Sequence, residues 1–168
     1  MRVGWVSLVW LVCLVGCDDL EPEGTYSGLV SGSTQISTLL SGPDEDGNLN
    51  ARAQNANVSR SDVNVTVRRT GDSRLEITLD DGCVVPFEQQ PEPNEHNTRV
   101  PGTETVVCNV EVDGYSGPIE VSGSAMFGRD DPSINLMLYG SVPAPPDPDA
   151  VGATSGSWSY TFNGTRHE

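Results

Sequence analysis

The stretch with the most evident capacity for chemistry is residues 44–48, which read Asp-Glu-Asp-Gly-Asn. Closely spaced side-chain oxygens can surround a hard cation such as Ca²⁺. The stretch departs from an EF-hand loop, because its glycine comes one place early and Asn55 stands where a bidentate glutamate is needed. A solvated loop is therefore favoured, and a looser Ca²⁺ site that draws on a second acidic loop is the alternative. The candidate ligands for a cation or a partner are Asp44, Asp46, Asp147 and Asp149.

Catalytic motifs are lacking in the sequence. It contains no Gly-x-Ser-x-Gly nucleophile turn, no His-Glu-x-x-His zinc motif and no glycine-rich phosphate loop. Neither His96 nor His167 has a nucleophile or an orienting carboxylate at a useful spacing. A carboxylate pair for glycoside cleavage could lie among so many acids, but we expect a protein that is not an enzyme and has no cofactor, with Ca²⁺ the one open option.

The charge balance restricts the partners. Arginine is the only basic residue with a fixed charge, and nine cations face 24 acidic residues, which gives a net charge of −15. Such a surface repels the phosphates of nucleic acid, so we exclude nucleic-acid binding. It favours divalent cations and basic protein partners, although adaptation to saline surroundings would produce the same composition.

The N-terminal segment has the composition of an export signal. An apolar run over residues 3–15 follows Arg2 and is too short to span a bilayer. It ends in Leu14-Val15-Gly16-Cys17, which resembles the lipobox of bacterial lipoproteins. An ordinary signal with an incidental cysteine is the alternative.

That resemblance implies a lipid anchor. The sulfur of Cys17 would carry a diacylglyceryl group, and the peptide bond between Gly16 and Cys17 would be cut. Cys17 would then be the first residue of the mature protein and would also carry an acyl chain such as palmitate. The chain then divides into a signal peptide (1–16), an acylated cysteine with its tether (17–24) and a β domain (25–168). The expected location is the bacterial cell envelope, lipid-anchored and facing the periplasm or the cell surface.

Two cysteines remain in the expected mature domain, Cys83 and Cys108. Exported domains with two cysteines usually join them. A metal pair is the alternative, but the sequence has no Cys-x-x-Cys and few histidines. We predict a structural disulfide, worth about 3 kcal/mol in the chain-entropy model.

The mature sequence alternates apolar and polar residues almost throughout, which is typical of antiparallel strands with one buried face. Val63, Val65 and Val67 show the pattern, as do Trp158, Tyr160 and Phe162. The sequence predicts an all-β fold, a single small up-and-down antiparallel barrel of about eight strands that resembles lipocalins in architecture only. A β-sandwich is the alternative. The predicted strands are residues 24–40, 54–69, 74–80, 83–89, 103–113, 117–128, 133–142 and 154–166.

This topology makes two further predictions. The disulfide places the fourth and fifth predicted strands side by side. One end of the barrel collects Asp44, Glu45, Asp46, Asp80, Asp81, Asp113, Asp147 and Asp149 without an arginine. The opposite end, where the chain enters, collects Arg68, Arg69, Arg74, Arg99 and Arg129.

The expected function is non-catalytic binding at the envelope, with the bilayer as one partner through acylated Cys17. The barrel would hold a small apolar ligand in its mouth. In the alternative, the barrel is filled and its acidic loops bind a protein, for instance a basic hydrolase that it inhibits. The three aromatic side chains of the last strand are expected to pack in the core rather than to form a ligand platform.

Overall fold

A computed structural model describes residues 22–41, 45–46, 50–91, 96–112, 115–143 and 155–167. These residues form nine antiparallel strands in one sheet. No helix among them is long and apolar enough to cross a membrane. In chain order the strands are β1 (Gly24–Ser41), β2 (Asn50–Arg69), β3 (Arg74–Thr78), β4 (Val84–Gln89), β5 (Asn97–Arg99), β6 (Val106–Val112), β7 (Tyr115–Phe127), β8 (Ser133–Val142) and β9 (Ser155–Arg166).

The predicted barrel is confirmed. The strand order β5-β4-β3-β2-β1-β9-β8-β7 closes on itself because β5 also pairs with β7, which makes a ring of eight strands. The ninth strand, β6, continues the line of β5 along the same edge of β7. Closure gives each of the eight ring strands a partner on both sides over part of its length, which is how small barrels limit edge exposure.

Side chains that alternate between buried and exposed along each strand give the ring an apolar interior and a polar outer face. In β3 the side chains of Leu75 and Ile77 are fully buried, whereas their neighbours face outward. The same alternation runs through β7 and β8. Below the middle of the barrel, large side chains such as Phe87, Phe162 and Leu136 fill the interior. Gly123 leaves no space there either, since a Cβ on it would lie 2.8 Å from the Leu138 side chain.

The short strand β5 lies in a segment that the sequence pattern predicts as a loop. It is three residues long, too short to show alternation, and only Thr98 at its centre is fully buried. The Thr98 hydroxyl donates a hydrogen bond of 3.1 Å to the Ala125 carbonyl of β7. Through β5, the strand β4 reaches β7 and the ring closes.

The disulfide is confirmed, but the predicted pairing of the strands that it joins is wrong. Cys83 and Cys108 are bonded, with their Cα atoms 5.5 Å apart. Within the described ranges, however, β4 pairs with β3 and β5, and β6 pairs only with β7. The disulfide therefore crosses a seam in the barrel wall that has no backbone ladder, because β5 takes the place beside β4.

Candidate functional site

A cavity of about 670 Å³ opens at one end of the barrel. We call it the mouth cleft, and we call the opposite end, where the chain enters at Gly24, the base. The cleft lies between the upper parts of β1 and β9 on one side and the β6–β7 hairpin on the other. It forms because β3 and β4 are short, with five and six residues, so they do not follow the 20-residue β2 to the mouth. Its walls include Val30, Val58, Val110, Trp158, Tyr160, Arg60, Asp81 and Glu111.

A β-bulge in β2 decides which side chains enter the cleft. Gly28 pairs with Val63 but Val30 pairs with Arg60, so β2 has one extra residue between them. Asp62 lies there with a φ of 58°, in the left-handed region. The extra residue reverses the alternation of the strand. On the mouth side of the bulge, Arg60 and Val58 therefore share the inward face with Val30 and Gly32.

Asp80 binds two donors at the edge of the cleft. Its Oδ2 lies 2.6 Å from Nη1 of Arg60, and its Oδ1 accepts a hydrogen bond of 3.1 Å from the Tyr160 hydroxyl. Burial, helped by the negative charge of Asp80, raises the pKa of Tyr160 above its ordinary value. Tyr160 thus remains a neutral donor, and the three residues tie β2, β9 and the β3–β4 turn together.

The β3–β4 turn closes the cleft from below and is held by several local contacts. Leu79 and Cys83 pair through a backbone hydrogen bond of 2.8 Å, and Gly82 takes the φ of 86° that the turn requires. The Asp81 carboxylate accepts a hydrogen bond of 2.9 Å from the Cys83 amide. Since Cys83 is bonded to Cys108, the turn is also fixed to β6.

The aromatic side chains of β9 divide between two roles. Phe162 is fully buried in the core, as the alternation predicts. Trp158 and Tyr160 stack with their ring centroids 6.0 Å apart and line the mouth cleft. Both are largely buried, so they form a firm apolar wall for whatever occupies the cleft.

The predicted cation or partner ligands are only partly within the described residues. Asp46 is exposed in a turn between β1 and β2, whereas Asp44, Asp147 and Asp149 lie outside the described residues. Cys17, the expected lipid site, lies outside them too. In the described ranges, no group of three or more His, Cys, Asp or Glu side chains is placed to bind a metal ion. The Ca²⁺ hypothesis stays a prediction.

The predicted separation of charges is incomplete. Asp80 and Asp81 lie at the mouth as expected, but so does Arg60, which reaches Asp80 from a strand rather than from a loop. At the base, Arg74 pairs with Glu104, and the Glu23 side chain accepts a hydrogen bond from the Arg69 amide. Acids and arginines are thus mixed at both ends. The strand order predicted from the sequence placed no arginine at the mouth, so it did not include the contact between Arg60 and Asp80.

Both histidines lie at the base. The His96 carbonyl accepts a hydrogen bond from the Phe127 amide, and the His167 amide donates one to Thr25. Each contact places its histidine at the end opposite the mouth cleft. The sequence analysis missed Arg60 and Val58 as site residues, and it assigned Trp158 and Tyr160 to the core alone. The signal for Arg60 and Val58 is the change of apolar parity between Val58 and Val63, which marks the bulge. The alternation of β9 does not distinguish a cleft wall from the core.

A scan against protein-family models finds no match to this chain, and a search of curated proteins finds none either.

Proposed function

We propose that this protein is a non-catalytic binding protein of the bacterial cell envelope, anchored through acylated Cys17, and that it binds a basic protein partner in the mouth cleft. The anchor rests on the lipobox resemblance. Several acyl chains on one cysteine give stable membrane attachment, which a single chain does not. Because the chain enters at the base, the tether before Gly24 would hold the base toward the membrane and leave the mouth cleft facing away from it.

The observation that carries the proposal is the combination of an uncovered apolar wall with an acidic rim. Val58 points into the cleft yet is 40% exposed, and Trp158 of β9 lines the same cleft. Asp81 and Glu111 line the same opening, and both are exposed. Apolar contact provides affinity, and the carboxylates select and orient a cationic partner.

A small amphipathic ligand is the second candidate. The volume of about 670 Å³ lies within the usual range for small-molecule sites. The stacked rings of Trp158 and Tyr160 would contact its apolar part, and Arg60 or the rim carboxylates would face its polar group. A purely apolar molecule fits less well, because charged groups line the cleft.

Photo-crosslinking in the native host tests the proposal. A photoreactive phenylalanine analogue replaces Val58 in one variant and Tyr139 in another, since Tyr139 is 61% exposed on the outer face of β8. We expect a crosslinked protein only at position 58. A mass gain of a few hundred daltons at position 58 would support the small ligand instead. Equal crosslinking at both positions, or none at position 58, would contradict binding in the cleft.

A further inference from the structure

The mouth cleft is bounded by two strands that have no described strand beside them on the cleft side. In the described chain, β2 pairs with β3 only from Thr66 to Arg69, and its stretch of residues 53–60, which we call the free edge, pairs with β1 alone. On the other side of the gap, β6 pairs with β7 alone. Along such edges every second residue directs its N–H and C=O away from its own neighbour strand. Backbone donors and acceptors therefore face the gap from both sides.

Side-chain exposure along β2 marks the same gap. Val67, which lies in the stretch paired with β3, is 2% exposed, and Val63 and Val65, between that stretch and the bulge, are at most 7% exposed. Val58, which also points inward but lies beyond the bulge, is 40% exposed. No described strand lies beside residues 53–60, so one added strand would both pair with the free edge and cover Val58.

The charge around the gap indicates the character of the missing strand. Arg60 is neutralised by Asp80, whereas Asp81 and Glu111 form no ion pair with any described residue. The chain as a whole carries a net charge of −15. A segment that enters the gap is therefore favoured if it carries lysine or arginine beside these carboxylates.

We propose that the occupant of the mouth cleft is an extended basic segment of a partner protein, which pairs as a strand with the free edge of β2 and completes the barrel wall. This inference rests on the proposed function and names how the partner is recognised. Backbone hydrogen bonds to the edge supply affinity, and alternate side chains of the segment enter the cleft or face the rim carboxylates. The Arg60–Asp80 ion pair ends the gap toward the base, so the added strand spans at most about eight residues, roughly 26 Å.

A displayed library of random twelve-residue peptides, selected against the full chain in mild detergent, tests the inference. We expect the selected peptides to alternate apolar and basic residues and to bind less tightly as salt is raised. Hydrogen exchange should slow at alternate amides between residues 53 and 60, where the added strand would accept hydrogen bonds from the N–H groups that face the gap. Fluorescence of Trp158 reports the occupied cleft in the processed protein, because the other two tryptophans, Trp5 and Trp10, lie in the expected signal peptide.

A matched pair of variants separates the cleft from the outer surface. Val58→Arg places a long cation inside the gap, whereas Ser59→Arg adds the same charge to the outward face of the same strand. Both positions are exposed, so the fold should tolerate either change. We expect Val58→Arg to weaken peptide binding about tenfold or more, and Ser59→Arg to change it less than about twofold.

Several results would overturn the inference. Peptides that depend on Val58 but leave the amides of residues 53–60 unprotected would bind the cleft in another way, and the proposed function would stand. Failure to select any peptide would refute the inference, and so would protection from hydrogen exchange only at residues outside the cleft. In either case, crosslinking at position 58 would still test the proposed function separately. Protection of the free edge in a dimer without peptide would identify a second copy of this chain as the occupant.

Discussion

Arg60 and Asp80 form an ion pair of 2.6 Å that links the middle of β2 to the β3–β4 turn. The pair exists because the bulge at Asp62 turns Arg60 to the inside of the barrel. Asp80 is the less exposed partner, and it also accepts the Tyr160 hydrogen bond. One carboxylate therefore joins three chain segments at the lower limit of the mouth cleft.

Removal of this ion pair should cost a small amount of stability. We expect Arg60→Met to lower the free energy of unfolding by about 0.5–1 kcal/mol, because Arg60 is half-exposed and solvent weakens the attraction. A double-mutant cycle with Asp80→Asn in urea unfolding measures the coupling. Arg68→Met, on an exposed position of the same strand, is the control. Equal losses in the two arginine variants would show that the ion pair contributes nothing.

Stability should fall above pH 10 in a way that depends on Tyr160. Burial and Asp80 raise the pKa of folded Tyr160 above the ordinary value of 10.0. Once the pH exceeds that value, the unfolded chain loses the proton and the folded chain keeps it. The contribution of this raised pKa to the free energy of unfolding is therefore complete below pH 10. It is lost as the pH rises above 10, by up to about 1.4 kcal/mol per pH unit.

Urea unfolding of Tyr160→Phe between pH 9 and pH 11 checks this sign. We expect the variant to lose stability less steeply than the parent, with a residual slope from Tyr26, whose pKa is also raised by burial. Tyr139→Phe, at an exposed tyrosine, should retain the parental slope. A Tyr160→Phe slope equal to that of the parent would argue against a folded tyrosine that holds its proton.

Loss of the disulfide should open the seam between β4 and β6. We expect Cys83→Ser with Cys108→Ser to lower the free energy of unfolding by about 3 kcal/mol, since the bond closes a 25-residue loop. No backbone ladder joins the two strands within the described chain. Hydrogen exchange should therefore accelerate in β4 and β5 more than in β8 and β9. Uniform acceleration across all strands would show that the seam has no local weakness.

The hydroxyl of Thr98 should matter to ring closure. Thr98→Val keeps the shape of the side chain but removes the hydrogen bond to Ala125, so we expect a loss of about 1 kcal/mol. Thr98→Ser keeps the donor and loses only a methyl group, and it separates the hydrogen bond from packing. If thermal unfolding shows that Thr98→Ser has a much lower melting temperature than Thr98→Val, packing rather than the hydrogen bond stabilises the position of β5.

Cys17 should determine membrane attachment. We expect Cys17→Ser to release the protein from the membrane fraction of its host and to leave an intact mass without acyl chains. Cys13→Ser, four residues earlier in the sequence, is the control and should remain attached. A protein that stays membrane-bound without Cys17, or starts at Met1 in intact mass, would refute the lipobox hypothesis.

Most strands of the barrel could be predicted from the local alternation of apolar and polar residues. Strict alternation identified every strand of five or more residues to within a few positions, and the presence of only two cysteines in an expected exported domain predicted the disulfide. The sequence analysis missed β5 because a strand of three residues is too short to show alternation. It therefore also missed that β5 is the neighbour of β4. The cleft was missed because its walls come from β1, β2, β6, β7 and β9, and a cavity depends on relative strand lengths rather than on any one motif.

Alternation of side chains is a property of each strand by itself, so the sequence alone determined the all-β class, the inward residues of most strands and the connection between Cys83 and Cys108. The reversal of β2 at Asp62 depends on its register with β1, and the exposure of Val58 depends on β3 ending where it does. These are relations between segments far apart in the chain. Only the tertiary structure decided that Arg60 points inward and that no described strand covers the edge of β2 at residues 53–60.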